Sequence, residues 1–338
     1  MAPTIRDVAR LAEVSIKTVS NVLNDYPHIR PATKQRVLDA IAALNYQPNL
    51  SARGLRSGRT GLVSLIIPNL RNAYFAELAD VVVRAAEAQD LSVIITQSNG
   101  ERDRELSLLR GPRMQIVDGI LFSVLALSAE DNDLLATIKT PMVLLGERIL
   151  EGPKDHVTMR NVDGVQAATE HLLSLGRRRV LAFGADLGQG LGSAALRLDG
   201  YRRGLAAAGV PYDEDLVVEV VGWYRSTGAE SMRRFLERGI PFDGVVAFND
   251  VLGLGAMRVM QEAGLRIPDD VAMIGFDDVD ETRYTLPTLS TIDPGRQEIA
   301  EVALRYLRER IESPEADLPP REYLSDFRLL ERESSGSN

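Results

Sequence analysis

The sequence predicts an all-α helix-turn-helix head joined to an α/β body of two doubly wound parallel-sheet lobes. Three observations carry this. A length of 338 residues exceeds what one ordinary globular core accommodates. The hydrophobic pattern changes near residue 62, from short helix-periodic segments to apolar runs alternating with helical ones. The charge is also divided. Residues 1–60 hold nine Lys/Arg and four Asp/Glu, a net +5 within a chain of net −9, which leaves −14 for the remainder. A small basic head on a large acidic body suits a chain whose first part meets phosphate and whose second part does something else.

In the head, Thr4 and Asp7 are spaced as a capping box, and Ile5, Val8, Ala9 and Ala12 supply the inward stripe of a first helix reaching about Ala12. Glu13-Val14 make a tight turn, and Ser15 is a second N-cap. Over 16–24, Val19, Val22 and Leu23 fall on one helical face, with Ile16, Lys17, Ser20, Asn21 and Asn24 on the other. A third helix near 32–44 carries Val37, Ile41 and Leu44. Two short helices, a tight turn and a third helix to close the core make a helix-turn-helix. Asn45 to Pro48 break the pattern. The stretch 49–56 has room for two helical turns, weakened by Gly54, and a helix so short is marginal alone.

In the body, strands are expected at 62–67, 92–96, 119–123, 142–145, 179–183, 217–221, 244–248 and 271–275. Helices at 74–89, 101–110, 165–175, 197–208, 228–238 and 251–264 lie between most of them, so the sheets are parallel with helices on both faces. Asp118-Gly119-Ile120-Leu121-Phe122 and Asp243-Gly244-Val245-Val246-Ala247 echo each other, a sign of duplicated halves. A last helix at 296–311 precedes a closing strand near 326–331.

Composition excludes several functions. Cysteine is absent, which removes disulfides, thiolate nucleophiles and Cys-ligated zinc. With three histidines, a multi-His metal centre is not expected. No apolar run of about 18 residues spans a membrane, and the N-terminus lacks a secretory h-region, so a cytoplasmic protein is expected. Gly190-Leu191-Gly192-Ser193-Ala194-Ala195 matches a dinucleotide fingerprint, but six residues separate it from Phe183 at the expected strand end and no His lies nearby. A Rossmann-type enzyme is therefore the distant alternative, and no cofactor is expected.

The outward face of the second helix can donate to phosphates and base edges, which with the local +5 points to DNA. For Lys17 alone, a solvated helix face would be the default. In the body, open α/β sheets bind ligands beyond the carboxyl ends of their strands. Asn69, Asn249, Asp250 and Asp277 stand there, polar groups where a buried core would want none.

Residues 4–56 resemble the head of the LacI/GalR, or lactose-repressor-like, family of bacterial transcription regulators. The resemblance rests on Ile5-Arg6-Asp7-Val8-Ala9, Val14-Ser15, Thr18-Val19-Ser20, Val22-Leu23-Asn24, Asn45-Tyr46, Pro48-Asn49, Ala52-Arg53 and Leu55. It continues in Arg197 with Gly200-Tyr201, in Asn249-Asp250, and in Ile274-Gly275-Phe276-Asp277-Asp278 leading to Pro287 and Thr291. Glu13 departs from the Gly or Asn frequent in the family's turn and is expected to strain it slightly; Arg177 replaces the His of a frequent Gly-His-Arg.

The resemblance implies a helix-turn-helix domain over 1–48, a hinge helix and linker over 49–60, and an effector-binding and dimerisation domain over 61–338. That last part resembles a periplasmic sugar-binding protein, with an N-lobe of about 61–160 plus 294–318 and a C-lobe of about 161–292 plus 320–333. Ile16, Lys17 and Asn21 would face base edges, while Thr18, Ser20 and Asn24 would hold phosphates. Thr4, Ser15, Tyr46, Asn49, Ala52, Arg53 and Arg56 complete the expected DNA contacts. Leu55 would be an apolar wedge in the minor groove, with packing against the body as its rival role. The effector site would comprise Asn69, Tyr74, Phe75, Ser193, Arg197, Trp223, Asn249, Asp250 and Asp277. Blander roles are a helix cap for Asp250, a surface pair for Arg197 and core filling for Trp223.

The expected protein is thus a repressor of palindromic operator DNA, tuned by a small effector. Leu191 stands where a purine-responsive member has Arg, which favours a carbohydrate over a nucleobase or nucleoside. No leucine heptad occurs over 331–338, so a homodimer rather than a tetramer is expected.

Overall fold

A computed structural model describes residues 3–23, 26–46, 59–111, 114, 116–188, 192–314 and 318–336. The chain divides into a unit of Met1–Thr60 and a unit of Gly61–Asn338.

The first unit holds α1 (Ile5–Leu11), α2 (Ile16–Leu23) and α3 (Pro31–Leu44). Asp7 Oδ2 accepts from both Thr4 N–H, at 2.9 Å, and Thr4 Oγ1, at 2.7 Å, which fixes the start of α1. Val8, Ala9, Ala12, Val19, Val22, Val37 and Ala40 form the core, the apolar stripes of all three helices turned inward. Glu13 has φ 53°, so the turn between α1 and α2 does place a non-glycine residue in the left-handed region.

In the second unit the described residues form two six-stranded sheets. The N-lobe sheet contains β1 (Leu62–Ile67), β2 (Ser92–Gln97), β3 (Gly119–Ser123), β4 (Met142–Leu145), β5 (Asp155–Met159) and β11 (Glu322–Ser325), in the order β2-β1-β3-β4-β5-β11. The C-lobe sheet contains β6 (Val180–Ala185), β7 (Val217–Glu219), β8 (Gly244–Ala247), β9 (Ala272–Phe276), β10 (Ser290–Asp293) and β12 (Arg328–Leu330), in the matching order β7-β6-β8-β9-β10-β12. Pairing is parallel except at β12, which runs antiparallel to β10.

The echo at 118–122 and 243–247 marks equivalent strands, β3 and β8. The aspartate before each has the same task. Asp118 accepts the Gly61 N–H ahead of β1 at 2.7 Å, and Asp243 accepts the Arg178 and Arg179 N–H groups ahead of β6 at 2.8–3.0 Å.

Helices α4 (Ala73–Glu87), α5 (Arg102–Arg110), α6 (Asn132–Thr137) and α11 (Arg296–Glu312) belong to the N-lobe. The C-lobe holds α7 (Asn161–Ser174), α8 (Ser193–Ala207), α9 (Arg225–Glu237) and α10 (Asp250–Glu262). Among the described residues the chain passes between lobes three times, after β5, after β10 and after β11. Residues 322–325, expected in the C-lobe, instead pair with β5 of the N-lobe, and the last crossing falls between Ser325 and Arg328. The departure is physical. Tyr323 and Ser325 turn inward and bond to Glu298 and to the Pro294 carbonyl, on the N-lobe side of the second crossing.

Strand β5 did not show as an apolar run because Asp155, His156 and Thr158 interrupt it, yet all of its residues are buried. Arg310 on α11 and Arg321 ahead of β11 both bond the Asp155 carboxylate, at 2.7–2.9 Å in their closest contacts. Burial alone would raise the Asp155 carboxyl, but the two guanidinium groups and the Arg321 amide outweigh it and hold the carboxyl below its ordinary value. A folded value below the unfolded one means that this stability is present at neutral pH and is lost as pH falls through the folded value. Asp155→Asn is expected to lower unfolding free energy in urea at neutral pH by about 2 kcal/mol, less than a fully buried broken pair because both arginines are partly exposed. The deficit should narrow below about pH 5. A deficit that stays constant with pH would contradict the assignment.

Candidate functional site

On the head, Ser15 Oγ accepts the Thr18 N–H at 3.1 Å and lies 2.9 Å from Thr18 Oγ1, so Ser15 caps α2 as its position suggested. Lys17 is exposed; Ser20 and Asn21 are half-buried on the face opposite Val19 and Val22, and Thr18 is half-buried at the edge of the apolar face. Arg6 and Arg10 are exposed on α1, with Arg10 Nη2 3.2 Å from Asp7. The structure separates two expected contacts from the rest. Ile16 and Tyr46 are half-buried against the head core, so each supports the helices at least as much as it faces outward. Asn24, Asn49, Ala52, Arg53, Leu55 and Arg56 lie outside the described residues.

In the body, a cavity of about 500 Å³ opens between the lobes at the carboxyl ends of the strands. Its lining includes Asn69, Tyr74, Phe75, Ser193, Arg197, Trp223, Asn249 and Asp277, which brings together eight of the nine expected positions. Asn69 follows β1, and its Oδ1 accepts the Arg71 and Asn72 N–H groups, a turn that hands the chain to α4. Asn72 caps α4 through Tyr74 N–H at 3.1 Å, which sets the first-turn rings of Tyr74 and Phe75 edge to face at 5.2 Å. Gly192-Ser193-Ala194-Ala195, the described part of the glycine-rich motif, opens α8 and also lines the cavity.

Arg197 is 2% exposed, not a surface partner. Its Nε donates to Asn161 Oδ1 at 2.7 Å, Nη1 donates to the Phe248 carbonyl, and Nη2 lies 3.6 Å from Asp277 Oδ1. The guanidinium also stacks over Phe276, 3.7 Å from the ring centroid, and lies 5.2 Å from that of Trp223. Its placement depends on close packing of α8 on α7. A Cβ added to Gly200 would stand 2.3 Å from the Val162 carbonyl oxygen, so a larger residue would push α8 away. Trp223 donates Nε1–H to the Gly184 carbonyl at 3.2 Å, which fixes the indole as a cavity wall.

Asp277 is 5% exposed, and burial pushes its carboxyl up to about 7 against the opposing pull of Arg197 and then Arg296. Burial likewise raises the Tyr74 phenol, with the Asp277 charge adding to it, so the ring presents a neutral hydroxyl. The wall thus offers directed donors and acceptors beside aromatic faces.

Asp250 is the exception among the expected positions. It is fully buried and absent from the lining: Oδ2 accepts the Val279 N–H at 3.0 Å and Oδ1 accepts from Thr291 Oγ1 at 2.7 Å. It anchors the loop after β9 instead of facing the cavity. Gly275 leaves it room, since a Cβ there would meet Asp250 Oδ1 at 2.0 Å. The helix-capping role belongs to its neighbour Asn249, whose Oδ1 accepts the Leu252 N–H at 2.9 Å.

Sequence reasoning missed Glu147, Asn161 and Tyr224. Glu147, buried just past β4, accepts from Asn161 Nδ2 and Ser193 Oγ, each at 2.8 Å, and so joins the lobes. Its position after a strand end was a usable signal, the same one that identified Asn69. Tyr224 and Asn161 carried no such signal. Tyr224 accepts from Asn69 Nδ2 at 3.2 Å, and Asn72 Nδ2 donates to the Trp223 carbonyl at 3.4 Å, which closes the cavity mouth from the opposite lobe. Among the described residues, no His, Cys, Asp and Glu group is arranged to hold a metal, and no helix is long and apolar enough to cross a membrane.

Comparison with known proteins agrees with this geometry. Residues 4–49 match the family described as bacterial regulatory proteins, lacI family, and residues 169–335 match a periplasmic binding protein-like domain. The transcriptional repressor PurR of Mannheimia succiniciproducens is 32% identical over 93% of this chain and 93% of its own. A LacI-family regulator from Sanguibacter keddieii has a solved structure that is 48% identical, covering 83% of this chain and 100% of its own with a TM-score of 0.77. A complex of the regulator CelR with cellobiose is 30% identical, covering 98% of this chain and 99% of its own with a TM-score of 0.72. The chain belongs to the lacI family of bacterial regulatory proteins: it is a DNA-binding transcriptional regulator with an effector-binding domain, and not an enzyme.

Proposed function

We propose that this regulator is a cytoplasmic repressor that binds palindromic operator DNA as a homodimer and takes a neutral carbohydrate in its interlobe cavity. One observation carries the effector reading: the buried Arg197–Asp277 pair stands in the cavity wall beside the Trp223 indole. A guanidinium and a carboxylate give directed bonds to hydroxyls, and an indole face covers the apolar face of a sugar ring. The cellobiose complex of CelR supports the same class. A nucleobase or nucleoside is the competing effector, favoured by the similarity to PurR, and the Tyr74 and Phe75 rings give such a ligand a stacking surface. Binding of sugars against nucleosides, read as a thermal shift of the intact protein, separates the two.

On the head, α2 enters the major groove, with Lys17 and Asn21 at base edges and Thr18 and Ser20 at phosphates. The segment 49–56 then reaches the minor groove, with Leu55 as its wedge.

Lys17→Ala is expected to relax base preference at one position in each half-site and to weaken operator binding by about 1–3 kcal/mol per lost base contact. Selection from random operators followed by titration checks this. A uniform loss across all sequences would instead make Lys17 a phosphate contact. Asp277→Asn is expected to leave operator affinity without effector near wild type and to abolish its change on effector addition. An unchanged response at the same effector concentration would remove Asp277 from the binding site.

A further inference from the structure

The loop after β9 holds two consecutive non-glycine residues in the left-handed half of backbone space, Asp277 at φ 116° and Asp278 at φ 47°. Such conformations persist only where surroundings enforce them. Here both lobes do so. From the C-lobe, Arg283 and Arg332 bond the two oxygens of the Asp278 carboxylate at 2.6 and 2.5 Å, and Asp250 holds the Val279 N–H. From the N-lobe, Arg296, the first residue of α11, donates Nη1 to the Asp277 carbonyl at 2.6 Å and Nη2 to the Asp278 carbonyl at 3.2 Å. The same Nη2 lies 2.5 Å from Oε2 of Glu77 on α4, and Glu77 Oε1 accepts the Asp280 N–H at 2.8 Å. Two N-lobe side chains therefore grip the backbone of the C-lobe loop that aims Asp277 into the cavity.

We propose that Glu77 and Arg296 form a positioning clamp through which the N-lobe sets the aim of Asp277, so that a ligand bound to Asp277 favours the closed arrangement of the lobes. The proposal rests on the cavity being the effector site. A ligand shifts an equilibrium only by binding one state better than the other. Asp277 supplies that difference, because the C-lobe holds its N–H through the Ile292 carbonyl at 2.9 Å while the bond to its own carbonyl comes from Arg296 and exists only while the lobes are together. The clamp itself lies outside the cavity lining and touches the loop through its backbone, so it acts on the ligand only through Asp277. Charge-assisted bonds of this kind are about twice as strong as neutral ones and geometrically specific, and Arg296 makes three of them at once.

The chain has no cysteine, so Ser107→Cys on α5 and Ala206→Cys on α8, both exposed, give a clean spin-label pair with one label in each lobe. Interlobe distances are measured on the full-length protein diluted with unlabelled chain and without ligand. The labelled parent is expected to give a narrow distribution. Arg296→Gln and Glu77→Gln should each broaden it toward longer distances, and Arg296→Lys should restore part of the narrow population while melting at the parent temperature. Distributions identical to the parent in both Gln variants would overturn the clamp, as would a folded Arg296→Lys that behaves like Arg296→Gln. Since no ligand is present, this result is independent of the effector reading, which fails separately if Asp277→Asn still responds.

Discussion

A guanidinium buried in the cavity wall imposes the main constraint on the body. Arg197 has almost no exposure, and an unpaired charge in that position would cost several kcal/mol. The cost is met from separate segments: Asn161 at the start of α7, the Phe248 carbonyl after β8, Asp277 after β9, and the rings of Trp223 and Phe276. Each segment must end where it does for the charge to be compensated, and Gly200 must stay small for α8 to reach them. The cavity is the by-product of that convergence. Its polar groups already face one another, so a ligand with several hydroxyls meets an organised wall and pays little to order it.

Asp277 occupies the sensitive position in this arrangement. It is poised near neutrality, attached by backbone to one lobe through Arg296 and by its neighbour's carboxylate to the other through Arg283 and Arg332. Glu147 adds a second bridge, from the N-lobe to Asn161 and Ser193 of the C-lobe. The lobes therefore meet through charged and polar contacts at the cavity, beside a buried apolar cluster that takes residues from both lobes.

Much of this was legible in the sequence, for identifiable reasons. Apolar runs at β1, β3, β4 and β8 are continuous because both faces of a parallel strand are covered, and such runs stand out. The Asp-Gly repeat before β3 and β8 was visible because each half solves the same backbone problem in the same way. Polar residues past strand ends led to Asn69, Asn249 and Asp277. What stayed hidden depended on partners distant in sequence. β5 reads as polar until Arg310 and Arg321 arrive from 155 and 166 residues away. β11 belongs to the N-lobe through bonds to Glu298 and Pro294 that no local pattern announces. Asp250 carries the right chemistry at a strand end, but faces inward because Val279 and Thr291 need its oxygens.

The most direct measurement is of reciprocity between the two sites. Operator affinity of the full-length protein is determined with and without saturating sugar, and sugar affinity with and without saturating operator, at one salt concentration. If the cavity and the head share one conformational equilibrium, the two factors must be equal, in the range of about 5 to 150 for a coupling of this kind. Equal factors of that size are the expected result. A sugar that binds the cavity tightly while operator affinity stays the same would contradict the coupling of cleft to DNA.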